Sequence, residues 1–147
     1  PQLIDDLVQA FGSQCVVIGV ESIAENGSYT VRSHTGTPDS MKKPGRETLH
    51  WLDEVVGRGA GEVVLNCMSA DGTRAGYDIT QLSAARAVLP IPLVASGGAG
   101  EVEHFVTAFE QADVDAALAA TVFHSGQIPI PDLKRSLAAA GIEVRPC

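Results

Sequence analysis

Positive charge is scarce in this sequence: ten Lys and Arg face eighteen Asp and Glu, for a net charge of −8. Nucleic-acid surfaces need clustered Lys and Arg, and the only local basic cluster is "MKKPGR" at Met41–Arg46. The balance argues against a nucleic-acid partner, while leaving phosphate binding by backbone N–H groups open. Cysteine is scarce as well. Cys15, Cys67 and Cys147 are odd in number and show no CxxC spacing, which reads as reduced thiols and makes a metal site unexpected. Long apolar runs are missing too. No stretch approaches the ~18 residues of a membrane span, and no charged start leads into an apolar segment as in a secretory leader. The expectation is a soluble, cytoplasmic α/β protein.

What is present is alternation. Apolar residues make up 45% of the 147 positions, enough for the core of one domain. "QLIDDLVQAFG" has helical spacing at Leu3, Leu7, Val8 and Phe11, with Gly12 as its stop. "CVVIGV", Cys15–Val20, is a short apolar run rich in β-branched residues, the pattern of a strand covered on both faces. "ENGSYTVR" carries Asn26-Gly27, a strong hairpin signal. Three further strand-and-helix units follow. "EVVLNCM" comes after a helix striped by Leu49, Leu52, Val55 and Val56, and leads to one that Asp78 caps, with Gln81 completing a capping box. "PLVAS" leads into "EVEHFVTAFEQ", and "AALAAT", Ala116–Thr121, into "PDLKRSLAAAG".

Strands alternating with helices imply right-handed parallel crossovers. Four units in about 135 residues have the pitch of a (β/α)8 barrel, of which they make half. A doubly wound sheet would need five or six strands. The predicted architecture is therefore a (β/α)4 half-barrel with an inserted hairpin, a single domain over 1–147. Its leading helix occupies 1–12 and its four βα units 14–147. A barrel half that opens on a helix looks like a truncation.

In such a fold the C-terminal strand ends carry the chemistry. "SGGAG" after the third strand offers Ser96, Gly97 and Gly98, either as an anion cradle of successive N–H groups or as a tight turn needing positive φ. "ATVFHSG" brings Ala120 and Thr121 beside it, and two such adjacent loops favour phosphate. His124 reads as structural rather than as a base. "NCMSADGTRAGYD" places Asp71 where a carboxylate transfers protons, or where Asp-Gly simply turns, with Asn66 pointing inward as an orienter. Glu21 follows Val20 at a strand end, either as an inward carboxylate or as the solvent-facing start of the hairpin.

"RGAGEVVLNCMSADGTRAGYD", "PLVASGGAGEVEHF", "DAALAATVFHSG", "GSQCVVIGVE" and the ending "IEVRPC" together resemble the cyclase subunit of imidazole glycerol phosphate synthase, of histidine biosynthesis. The match covers nearly the whole chain but only strands five to eight of that family's barrel. The resemblance implies a lyase-type cyclisation. Ammonia from a glutaminase partner attacks a phosphorylated ribulosyl aminoimidazole ribonucleotide, giving imidazole glycerol phosphate and an aminoimidazole carboxamide ribonucleotide. It implies Asp71 as one of two catalytic aspartates, and Gly72, Ser96, Gly97, Gly98, Ala120 and Thr121 as phosphate binders, with Asn66 lining the pocket. No cofactor or metal is implied. Glu21 stands where the family usually has aspartate, which shifts the charge by ~1.5 Å. The other catalytic aspartate, the second phosphate site and the ammonia gate belong to strands outside this sequence.

A half-barrel alone exposes strand edges and an apolar inner face, so pairing is expected. One arrangement is a homodimer in which Glu21 of one copy replaces the missing aspartate opposite Asp71 of the other. Another is assembly with an N-terminal half, and a third is phosphate or phosphosugar binding without turnover. A glutaminase partner fits only a complete barrel.

Overall fold

A computed structural model describes residues 1–145, so Cys147 of the cysteine reading lies outside the described residues. Helix α1 (Gln2–Phe11) leads into strand β1 (Val17–Glu25), which turns at Asn26-Gly27 into β2 (Ser28–Arg32). Then alternate α2 (Thr48–Gly57), β3 (Glu62–Cys67), α3 (Ile79–Arg86), β4 (Leu93–Ser96), α4 (Val102–Ala112) and β5 (Ala116–Leu118). The short α5 (Thr121–His124) and α6 (Ile130–Ala139) close the order. Among the described residues no helix is long and apolar enough to cross a membrane.

The sheet runs β2-β1-β3-β4-β5, with β1, β3, β4 and β5 parallel and β2 antiparallel. The parallel strands are neighbours in chain order. Right-handed crossovers that all step the same way put every helix on one face, whereas a doubly wound sheet needs a reversal. That is the architecture of half a (β/α)8 barrel. Side-chain alternation divides the strands accordingly. Val20, Val63, Leu65, Cys67, Leu93 and Ala95 point to the helices and are buried with Leu52, Val55, Leu82 and Phe105. Burial pushes the Cys67 thiol up to about 12, so it packs as an inert small hydrophobe. Among the described residues, the other face has no helix over it. Register aligns Gly19, Val64, Val94 and Ala116 there in one row, and Glu21, Asn66, Ser96 and Leu118 in the next.

Four sequence expectations shift. β1 starts at Val17 rather than Cys15, because Gly12 at φ 84° opens a 3-10 turn over Ser13–Cys15. It then runs on through Glu21 to Glu25, since β2 supplies a second partner along that edge. Glu21 is thus inside a strand, paired with Arg32 on one side and Asn66 on the other, not at a strand end. The last strand stops at Leu118, and Thr121 opens α5, whose start is tied by Phe123 and His124 N–H groups donating to the Ala120 carbonyl. On α1 the buried residue is Ile4, with Leu7 and Val8 packed beside it, while Leu3 and Phe11 stay exposed.

The capping box at Asp78 is half made, and the missing half is informative. Asp78 accepts from the Gln81 N–H at 2.9 Å, but the Gln81 amide donates instead to Ser22 Oγ, which also contacts Thr48 Oγ1 at 2.7 Å. All three side chains are fully buried between β1, α2 and α3. Ser22 is the hub, one residue from Glu21. Removing it orphans two buried groups, so Ser22→Ala is expected to cost about 2–3 kcal/mol and Thr48→Val about 1. Urea unfolding of both variants checks this: equal costs would remove Ser22 from its place as hub.

Candidate functional site

The cleft is assembled where β3, β4 and β5 end. Asn66, Asp71, Gly72, Arg74, Ser96, Gly97, Gly98, Ala99, Leu118, Ala119, Ala120 and Thr121 enclose about 230 Å³. Of the nine residues the sequence singles out, eight line it. Glu21 does not, but its Oε2 accepts from Asn66 Nδ2 at 2.8 Å, so the carboxylate joins the cleft wall through one amide. His124 is exposed at the end of α5 and takes no part in the lining.

The Asp71 loop is a compact turn. The Ala70 and Asp71 N–H groups both donate to the Cys67 carbonyl, at 2.9 and 3.0 Å, and Thr73 N–H to Ala70 at 3.1 Å. The turn curls back over "SGGAG" until the two loops meet. The Gly76 N–H donates to the Gly98 carbonyl at 2.9 Å. A Cβ on Gly98 would lie 2.8 Å from the Gly76 carbonyl carbon and 3.1 Å from Ala70 Cβ. One on Gly100 would lie 2.8 Å from the Arg74 carbonyl carbon, and one on Gly97 2.8 Å from Asn66 Oδ1 and 3.2 Å from Asp71 Cβ. The glycines are therefore required by the close approach of the neighbouring loop. Gly97 and Gly98 also need their φ of 91° and 110°.

Backbone donors supply the site's polarity. Among the described residues, the N–H groups of Gly97, Gly98 and Ala99 find no acceptor in the protein, and neither do those of Ala119, Ala120 and Thr121. Six free donors from two adjacent loops line one cleft, the arrangement that backbone anion sites use. Arg74, held at φ 58°, adds the one guanidinium of the lining and forms no ion pair among the described residues. The chemistry available is thus anion binding beside two carboxylates.

Sequence reasoning missed Arg74, Ala99, Leu118 and Ala119. Charge was the available signal for Arg74, the only Lys or Arg in the segments 66–77, 96–101 and 118–124 that build the cleft. Leu118 carries no such signal, because its place in the lining follows from a strand that ends three residues earlier than its composition suggests.

Comparison with known proteins gives the family of the chain. The profile of the family described as histidine biosynthesis protein matches residues 1–129. The imidazole glycerol phosphate synthase subunit HisF of Xanthomonas euvesicatoria pv. vesicatoria (strain 85-10) is 58% identical over 146 residues, which are 99% of this chain and 57% of that relative. The subunits of the same name from Stenotrophomonas maltophilia strains K279a and R551-3 are 57% and 56% identical over the same span. The chain spans about half the length of the curated relatives it matches. It belongs to the histidine biosynthesis protein family, as a half-barrel of the HisF type.

Proposed function

We propose that this chain supplies the phosphate anchor and one proton-transfer carboxylate of a HisF-type cyclase site. A second half-barrel, the N-terminal part of a longer barrel or a second copy, completes the reaction chamber. The observation that carries the proposal is the pair of free-amide loops, 97–99 and 119–121, lining one cleft with Asp71. A phosphorylated sugar anchored there by its phosphate presents its chain toward the Glu21–Asn66–Ser96 row on the bare sheet face. Asp71, at the rim, is the group placed to exchange protons during ring closure and elimination. Ammonia supply from a glutaminase belongs to the completed barrel, and ammonium salts replace it in an assay.

The first test is binding. Inorganic phosphate titrated into the isotope-labelled chain is expected to shift the amide resonances of Gly97, Gly98, Ala99, Ala120 and Thr121 together. Arg74→Ala should weaken that binding about fivefold and flatten its salt dependence, since an exposed guanidinium contributes a screened charge contact. Shifts confined to other loops would overturn the anchor.

A further inference from the structure

The "SGGAG" loop is held from behind by a side chain outside the cleft lining. His104, on the first turn of α4, directs Nδ1 back at the loop and accepts two backbone N–H groups there, from Gly100 at 3.0 Å and Glu101 at 3.2 Å. A nitrogen that accepts two donors carries no proton, so the ring is in the tautomer protonated at Nε2. The ring also faces Gly76, where an added Cβ would lie 3.5 Å from its Cδ2. His104 thereby lies between both loops that meet at the cleft: hydrogen-bonded to its own and facing the Asp71 loop at Gly76.

The consequence is a division of the loop's donors. The five N–H groups from Gly97 to Glu101 run in succession, and two are consumed by His104 while three stay free beside the cleft. Without an acceptor behind the loop, Gly100 and Glu101 would compete with the first three for any anion, or turn to solvent. A backbone containing three glycines has little intrinsic preference to resist that rearrangement. From the opposite side the Gln127 amide donates to the Gly100 carbonyl at 2.8 Å, so the same peptide segment is gripped at both its N–H and its C=O.

We propose that His104 is the positioning residue of the anion site. Its Nδ1 lone pair fixes the loop conformation in which Gly97, Gly98 and Ala99 present their N–H groups to phosphate. The proposal rests on the phosphate-anchor function above, and part of its test is independent of that function. His104 is the N3 residue of α4 and completes a capping box with Glu101. Asparagine places its side-chain oxygen close to where histidine has Nδ1, whereas leucine has the same branching with no acceptor at all. His104→Asn is therefore the rescuing substitution and His104→Leu the disabling one, at similar size.

Two readouts decide the matter in the full chain. The first needs no ligand: amide hydrogen exchange at Gly100 and Glu101 is expected to remain slow in His104→Asn and to accelerate about tenfold or more in His104→Leu. The second is inorganic phosphate affinity, expected within about threefold of the unsubstituted chain for His104→Asn and about tenfold weaker for His104→Leu. Unchanged exchange and affinity in His104→Leu would overturn the proposal. So would equal losses in both variants, which would assign His104 to packing on Gly76 alone. If the unsubstituted chain shows no phosphate response, the anchor falls and the positioning of this site falls with it, while exchange still shows whether Nδ1 holds the loop.

Discussion

Alanine at Gly98 is expected to be the most damaging single-methyl substitution in the cleft, and a series of three glycines shows why. Gly72 has φ 76° and open space around the position of a Cβ, so Gly72→Ala tests backbone strain alone and should cost about 1 kcal/mol. Gly100 has an ordinary φ, but its Cβ would meet the Arg74 carbonyl, so Gly100→Ala tests loop contact alone at about 2–3 kcal/mol. Gly98 combines φ 110° with a Cβ driven into the Gly76 carbonyl, and Gly98→Ala should cost about 4 kcal/mol or more. That is a large share of the ~5–15 kcal/mol stability of an ordinary domain. Urea unfolding gives the order. If Gly98→Ala proves too unstable to measure, Gly100→Ala against Gly72→Ala still separates contact from strain. Equal costs for that pair would mean that the loops do not depend on their close approach. Phosphate affinity should follow the same order, because the substitution that pushes the loops apart also moves the free amides.

The glycines also show what the sequence could and could not reveal. Their number near a strand end signalled either an anion cradle or a tight turn, and both readings concern the loop's own backbone. The stronger constraint comes from a segment some twenty-five residues earlier, whose carbonyls lie where side chains would be. Distance in the chain hides such an approach. The half-barrel was legible because buried parallel strands are continuous apolar runs and the crossover rule leaves one topology. Glu21 was half legible. Its residue type marked it, but the two-sided pairing that sets it within β1 depends on β2 returning along the edge, which shifts it from strand end to strand interior. His104 was illegible for another reason. A histidine on the first turn of an amphipathic helix looks like any polar surface residue, until the fold turns Nδ1 toward the loop that precedes it.

Asp71→Asn is expected to lower ammonium-dependent cyclisation by about 10²–10⁴-fold when the chain is supplemented with the N-terminal half of a HisF relative, the usual contribution of one positioned acid–base group. Asparagine keeps the size and the turn, whose hydrogen bonds run through the backbone of Cys67, Ala70 and Asp71 rather than through the carboxylate. Phosphate affinity should therefore stay within about twofold, placing the loss in turnover rather than in binding. Glu21→Gln makes the contrast. The carboxylate lies outside the cleft lining and meets Asn66 Nδ2 through one oxygen, an acceptor that glutamine retains. Its loss should be about tenfold, through the local charge and the orientation of Asn66. The ratio between the two variants carries the assignment. If Glu21→Gln is the more damaging, proton transfer lies on β1 and Asp71 is only the turn its Asp-Gly sequence suggests. If neither variant slows a reaction that the assembled halves do perform, the chain's contribution is the phosphate anchor alone. Both outcomes are read from the same progress curves, with phosphate affinity as the control that the cleft is intact.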